Sequence, residues 1–291
     1  MRSVWMRWCC VLVSFGFSMV VNANPAGKQV HPVAEQPALK SSSVLVVDAD
    51  TDSVLVEQHA DQAAPIASIT KLMTALVVLD AHQPMDEVLQ ITSADKDTER
   101  GSSSRLAVGT KLTRAELMHL ALMSSENRAA HALGRNYPGG LSVFVEAMNA
   151  KAKALGMTRA HFVDPTGLSS SNVASPQDLA KLVLAASQNT TISAYSTDYD
   201  HAVKVGRQRL QFRNTNLLVN KPDWDIMVQK TGYIAEAGKC LVMRAAIAGR
   251  SVVIVLLDSY GKYTRVADAK RIKTWMEARL GSSALNAAVV E

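Results

Sequence analysis

Cysteine is scarce in this chain of 291 residues: there are three, and Cys9 and Cys10 lie within the first ten positions. If the N-terminus is removed as a signal, Cys240 is left alone and no internal disulfide can form. Cys9 also lacks the small preceding residue that a lipoprotein signal needs. The sequence has no apolar run long enough to cross a bilayer, since the stretch from Trp8 to Val21 falls short of the ~20 residues required. No glycine-rich phosphate loop and no basic-aromatic patch appear, so no nucleic-acid partner is expected. The seven histidines, His31, His59, His82, His119, His131, His161 and His201, include no His-Glu-x-x-His and no close pair. Neither a metal nor a cofactor is expected on that basis. Repeats and long low-complexity tracts are also missing, which excludes solenoid and disordered classes.

The residues that are present describe a folded, exported protein. Hydrophobic residues make up 48% of the chain, ordinary for a soluble domain. Arg2 and Arg7 precede the apolar run, and Val21-Asn22-Ala23 closes it, the three regions of a secretory signal with cleavage expected after Ala23. Without Arg2 and Arg7, 29 basic residues face 26 acidic ones, a charge of about +3 that suits an anionic polymer or merely a soluble surface. Residues 24–40 carry Pro25, Pro32 and Pro37 and read as a flexible leader. The fold is expected to begin near Ser41. Val44–Val47 and Val54–Val56 flank a turn at Asp48–Ser53, and Leu241–Ala248 and Ser251–Leu257 flank Gly249-Arg250, giving two hairpins. Between them the pattern turns helical. Thr113-x-x-Glu116 is a capping box, Ser175-Pro176 with Asp178 starts another helix, and Phe144, Met148 and Leu155 mark one stopped by Gly156. A last helix is expected over about Val266–Leu280, leaving 281–291 as a tail. Sheet at both ends with helices between predicts an α/β (α+β) fold, an antiparallel sheet packed by helices in one domain over 41–280.

Three motifs carry the chemistry: Ser68-Ile69-Thr70-Lys71, Ser125-Glu126-Asn127 and Lys230-Thr231-Gly232. A serine hydroxyl is a weak nucleophile until a base takes its proton, and a lysine at i+3 on a helix can reach it. Ser68 opens an apolar run through Leu79, so it belongs at a helix N-terminus, where the dipole favours an alkoxide or oxyanion. Two further Ser-x-x-Lys tetrapeptides lack this setting: Ser93 lies in a charged surface segment and Ser259 in a Gly and Tyr loop. Ser170-x-Asn172 and Ser187-x-Asn189 likewise mimic the second motif. Ser125 can relay a proton to a leaving amine and Asn127 can bind a substrate amide or a lysine, while Ser124 and Ser125 can also be read as plain helix caps. The third motif is expected to end a strand over Ile226–Gln229, with Lys230 and Thr231 free to bind a carboxylate and Gly232 allowing close backbone approach. For Lys71 to act as base its pKa must fall well below the usual ~10.4, through burial and a neighbouring charge such as Lys230.

The order and spacing of these motifs resemble the penicillin-recognising serine D,D-peptidases. The stretches Pro65–Thr74, Ala121–Ala130, Phe162–Leu168, Phe212–Asn216 and Lys230–Leu241 are similar to D-alanyl-D-alanine endopeptidases of the penicillin-binding protein 7 type, over about residues 41–280. The resemblance implies a β-lactamase/transpeptidase-like fold, Ser68, Lys71 and Ser125 as catalytic groups, and Asn127, Lys230, Thr231, Gly232, Tyr233 and Arg265 as substrate-binding ones. It puts the oxyanion hole at the backbone N–H groups of Ser68 and Tyr233, with peptidoglycan as partner and β-lactams as inhibitors. Related D,D-carboxypeptidases continue into a second domain and an anchor, so a free periplasmic catalytic domain without a stable membrane anchor is expected. Hydrolysis of D-alanyl-meso-diaminopimelyl cross-links is the expected reaction; removal of a terminal D-alanine is the alternative. A class A β-lactamase would need a glutamate before Ser175, and Met157–Ala174 offers only Asp164 as an acid, in what reads as a turn. A non-catalytic wall-binding module is the remaining alternative.

Overall fold

Runs of Val, Ile and Leu build the central sheet. A computed structural model describes residues 36–98 and 100–288; the expected signal segment and most of the leader lie outside them. Strand β1 (Ser41–Asp48) turns back into β2 (Val54–Gln58), as the first hairpin predicts. A two-residue strand, β3 (Ala64–Pro65), leads through a 3₁₀ turn at Ala67–Ile69 into α1 (Thr70–Asp80). The helical region comprises α2 (Arg114–Met123) behind the short pair β4 (Val88–Gln90) and β5 (Lys111–Thr113), then α3 (Asn127–Arg135) and α4 (Gly140–Ala154). It continues past β6 (Val173–Ala174), which pairs with β3, into α5 (Pro176–Ser187) and α6 (Thr190–Thr197). A further hairpin, β7 (Asp200–Val205) and β8 (Gln208–Arg213), precedes β9 (Asp225–Ile234), β10 (Gly238–Ile247) and β11 (Arg250–Ser259). Helix α7 (Thr264–Ala288) follows.

The sheet is antiparallel throughout, in the order β2-β1-β11-β10-β9. Its middle strands are buried on both faces, which is why β1 reads as a continuous apolar run instead of an alternating one. Alternate residues serve different layers. Leu45, Val47, Val253 and Val255 pack with Leu179, Leu182 and Val183 of α5, while Val44, Val46, Ile254 and Leu256 pack with Ile272, Trp275 and Met276 of α7. The expected α/β (α+β) class, an antiparallel sheet packed by helices, is the one observed.

Local signals act where the sequence places them. Thr113 Oγ1 accepts from Glu116 N while the Glu116 carboxylate accepts from Thr113 N, the capping box at α2. Ser175 caps α5 with Pro176 in its first turn. Three boundaries differ from expectation. Ile247 pairs with Arg250, so the tight turn is Ala248-Gly249, both with positive φ (51° and 76°), one residue earlier than read. Strand β9 does not stop at Gln229; it runs through the third motif, pairing Lys230 with Val242, Thr231 with Leu241 and Gly232 with Cys240. Helix α7 passes Leu280 to Ala288, into the stretch read as a tail. The β7–β8 hairpin escaped the sequence reading because it is an exposed ribbon with few buried apolar positions, chiefly Val203 and Phe212. Among the described residues no helix is long and apolar enough to cross a membrane.

Candidate active site

Ser68 is held on a constrained turn. Ala67, before it, has φ +47°, a left-handed conformation that costs a non-glycine residue about 1–2 kcal/mol and persists only where its surroundings enforce it. Several contacts do so. Thr70 Oγ1 donates to Ala67 O (2.8 Å), Asn172 Nδ2 donates to Thr70 Oγ1 (3.2 Å), and Ile66 N donates to Asn172 O (3.1 Å). Gly167 lies so close that a Cβ there would meet Ala67 O at 1.9 Å. Gly232 packs from the other side, where a Cβ would stand 2.9 Å from Ile66 O and 3.2 Å from Ser68 N. The close approach that Gly232 permits is therefore to the turn bearing Ser68. The chain then enters α1, so the expected helix-start setting of Ser68 holds.

Lys71 is fully buried, and its ammonium donates to Ser68 Oγ (2.7 Å), Asn127 Oδ1 (2.8 Å) and Thr166 O (2.6 Å). These bonds engage all three of its protons. Burial pushes its pKa down to about 7, against the opposing pull of Asp164 and Glu126. The Asp164-Pro165-Thr166-Gly167 segment is a turn, as read, but its function went unread. Asp164 Oδ1 accepts from Thr166 N (2.6 Å), Thr166 Oγ1 (2.5 Å) and Gly167 N (2.8 Å), and Oδ2 accepts from Ser169 N (3.1 Å). That cage aims the Thr166 carbonyl at Lys71. Asn172 fixes the other end by accepting from Val163 N and Asp164 N. The Ser170-x-Asn172 mimic thus contributes an asparagine to the scaffold, a role that needs the fold to be seen.

Ser125 sits between α2 and α3 with φ +62° and lines the cleft with Asn127. The cap of α3 is Glu126, whose carboxylate accepts from Arg128 N (3.3 Å) and from Ser104 Oγ (2.5 Å), so neither Ser124 nor Ser125 caps that helix; Ser124 closes α2 instead, its Oγ donating to Leu120 O (2.8 Å). Asn127 spans the floor, its Oδ1 on Lys71 and its Nδ2 donating to Ser102 Oγ (3.1 Å).

On β9, the edge strand of the sheet, Thr231 Oγ1 lies 2.6 Å from Thr215 Oγ1 and faces the cleft, while Tyr233 is exposed beneath Lys239 (4.0 Å to the ring). Lys230 is placed differently from expectation. It is fully buried, its ammonium donates to Thr231 O (2.8 Å), and it does not line the cleft. Burial first, then the charges of Lys71 and Arg265, holds its pKa well below the usual lysine value. Its contact with the site runs through the Thr231 carbonyl. Arg265 enters the cleft from the first turn of α7, donating to Gly232 O (2.8 Å) and Cys240 O (3.1 Å). A cation there opposes the helix dipole, an arrangement that fits an anion-binding role. Burial pushes the Cys240 thiol up to about 11, as for a packing residue.

The structure brings Ser68, Ser125, Asn127, Thr231, Gly232, Tyr233 and Arg265 around one cleft of about 460 Å³, with Lys71 and Lys230 beneath it. A second cavity of about 300 Å³ shares Ser102, Asn127 and Leu168 with it, extending the groove toward Lys96 and Arg128. Arg100 also lines the cleft, and its guanidinium bridges Leu168 O (2.5 Å) to the Glu236 carboxylate (2.8–2.9 Å) across the mouth. Sequence reasoning missed Arg100, Ser102, Thr215 and Thr166; only the Phe212–Asn216 and Phe162–Leu168 resemblances touched two of them. The other mimics lie outside the cleft. Ser93 and Lys96 are exposed, Asn189 caps α6, and Ser259 is no loop residue but the buried end of β11, 2.7 Å from Ser41 Oγ.

Sheet, helical layers and a serine bonded to a buried lysine at a helix start define an active-serine peptidase of the penicillin-recognising fold. The chain belongs to the D-alanyl-D-alanine carboxypeptidase family, which residues 30–261 match. It is 46% identical over 279 residues to a D-alanyl-D-alanine endopeptidase of Pseudomonas aeruginosa, covering 95% of this chain and 89% of that one. It is also 46% identical over 246 residues to that of Escherichia coli, covering 84% and 79%. A D-alanyl-D-alanine carboxypeptidase of Streptomyces is 29% identical, with 82% and 88% covered. Among solved structures, the Streptomyces K15 DD-transpeptidase superposes with TM-score 0.78 at 28% identity, covering 83% of this chain and 98% of that one.

Proposed function

We propose that the protein is a serine D,D-endopeptidase that hydrolyses the D-alanyl-meso-diaminopimelyl cross-link of peptidoglycan in the periplasm. The observation that carries the chemistry is the Lys71 ammonium at 2.7 Å from Ser68 Oγ, with a pKa brought down to about 7. In its neutral form Lys71 takes the Ser68 proton as Oγ attacks the D-alanyl carbonyl. The backbone N–H groups of Ser68 and Tyr233 receive the oxyanion, on the turn and edge strand that Gly232 holds together. Collapse of the tetrahedral intermediate breaks the C–N bond. Ser125 passes the proton to the departing amine, leaving acyl-Ser68, which water hydrolyses to the free carboxylate and serine. Thr231 and Arg265 hold the substrate carboxylate beside the scissile amide, with Lys230 fixing the Thr231 backbone from below.

Higher identity to the two endopeptidases than to the Streptomyces carboxypeptidase favours cross-link cleavage over removal of terminal D-alanine. The groove supports it too, because the adjoining cavity leaves room beyond the catalytic centre for a branched peptide. A β-lactamase reading lacks support: the Asp164 carboxylate is committed to its own turn and borders the adjoining cavity, not the cleft that holds Ser68. Purified cross-linked and uncross-linked muropeptides, followed by product mass, test the proposal. Monomers from dimers are expected; release of D-alanine with dimers intact would make the carboxypeptidase reading correct. In parallel, Ser68→Ala is expected to abolish labelling by a fluorescent penicillin, and retained labelling would move the nucleophile elsewhere.

A further inference from the structure

Outside the lining of the catalytic cleft, the fold brings His119 beside Asp198 and His201, which lie far from it in sequence. His119 lies on α2, Asp198 at the C-terminal cap of α6 and His201 on β7, and their ligand-type atoms all lie within 4.8 Å of one another. His119 is buried, packed between the Tyr195 ring (centroids 4.4 Å) and the His201 ring (4.1 Å). Its Nε2 is 3.1 Å from Asp198 Oδ2, an ion-pair distance at which the ring nitrogen is poorly aligned for a hydrogen bond. Three ligand-type groups converging around a buried, poorly aligned ring nitrogen form a cluster that one cation can join.

We propose that His119, Asp198 and His201 bind one zinc ion that braces α2 against the α6–β7 junction. Two imidazoles and one carboxylate form a borderline donor set that suits Zn²⁺ better than the oxygen-seeking Mg²⁺ or Ca²⁺. Two donors bound to one tetrahedral zinc at about 2.0–2.2 Å stand roughly 3.3–3.6 Å apart, a few tenths of an ångström beyond the His119–Asp198 separation of 3.1 Å. His201 and Asp198 are only half-buried, so a side-chain shift of about 1 Å closes the rest, and water can fill the fourth position. The outer contacts are those of a fixed site. Asn214 Nδ2 donates to Asp198 O (2.8 Å), and Asn214 N donates to Tyr199 O (2.8 Å), tying the carboxylate's backbone to the segment that carries Thr215. Because α2 ends at the Ser125 loop and Asn214-Thr215 leads to Thr231, the ion would stiffen the wall of the cleft while touching no reacting atom.

The test uses tag-free mature protein, stripped with a chelator and titrated with zinc against a chromophoric zinc chelator. One equivalent per chain is expected, with a rise of a few degrees in Tm when free zinc stands well above Kd. Cobalt in place of zinc should give the visible bands of a tetrahedral site in the wild-type protein. His201→Gln and Asp198→Asn are expected to weaken binding at least tenfold and to lose the Tm response, while labelling by fluorescent penicillin reports that each has folded. His161→Ala, an exposed histidine elsewhere, should bind as the wild type does. Absence of a tight equivalent and of the cobalt spectrum in the wild-type protein would overturn the site, as would unchanged affinity in both folded variants. Neither result depends on which muropeptide the enzyme cleaves.

Discussion

Lys71 shows how a single side chain can be costly to the fold and necessary to the site. Its pKa falls from 10.5 to about 7 because the buried ammonium loses more hydration than three hydrogen bonds restore. Two consequences have definite signs. Since only neutral Lys71 can accept the Ser68 proton, the acylation rate should rise about tenfold per pH unit below pH 7 and level off above it; stopped-flow acylation by a chromogenic β-lactam across pH 5–9 measures this. For stability, the unfolded chain binds more protons at this lysine between about pH 7 and 10.5, so its contribution to stability rises with pH through that window and is least favourable below it. Lys71→Arg keeps the charge but cannot release a proton, so acylation should fall by at least ~10²; wild-type acylation would make Lys71 an electrostatic support. Gly167 gives a structural counterpart. With φ +78° and Ala67 O in the way, Gly167→Ala should lower stability by more than ~2 kcal/mol in urea unfolding and slow acylation by displacing the Ser68 turn.

Between elements, one buried carboxylate joins the two ends of the folded chain. Asp268 of α7 accepts from Lys40 N (3.0 Å), Ser41 N (2.8 Å) and Ser41 Oγ (2.7 Å) and pairs with Arg271 (2.6 Å), clasping the start of β1. Asp268→Ala leaves the Ser41 N–H buried without its acceptor and Ser41 Oγ with Ser259 Oγ alone, and should cost about 2–4 kcal/mol by urea unfolding. Penicillin labelling of the folded fraction should persist, because the contacts lie at the start of β1 and not in the cleft. The α2 capping box is a smaller joint. Thr113→Ala is expected to cost about 1 kcal/mol, read from the same measurement.

For the molecule as a whole, the proposed catalysis depends on the junction of two parts: a helical part that carries Ser68, Lys71, Ser125 and Asn127, and a sheet edge that carries Thr231, Gly232 and Tyr233. Thr215 couples them, its N donating to Met123 O at the end of α2 and its hydroxyl meeting that of Thr231. Thr215→Val removes only the hydroxyl contact. It is expected to reduce turnover of cross-linked dimers severalfold while shifting the unfolding midpoint by less than ~1 kcal/mol, as for one neutral hydrogen bond. Export is the other whole-molecule expectation. N-terminal sequencing of the protein from periplasmic extract should begin near Asn24, and recovery only in membranes with Met1 retained would refute it.

Local, repeating physics was legible in the sequence. The β1–β2 and β10–β11 hairpins, the Thr113 and Ser175 caps and the helix-start position of Ser68 follow from patterns a few residues long. The three motifs were legible as well, because nucleophile and base are fixed by one helical turn and the other two by resemblance. Tertiary structure decided what depends on residues far apart in sequence. It set the Thr166 carbonyl on Lys71, withdrew Lys230 from the cleft, extended β9 through the third motif, and put His119 beside His201. A lysine's burial, and hence its pKa, is a property of everything packed around it. Spacing alone carries no record of that environment, since desolvation is determined only when the sheet edge and the helical part close on one another.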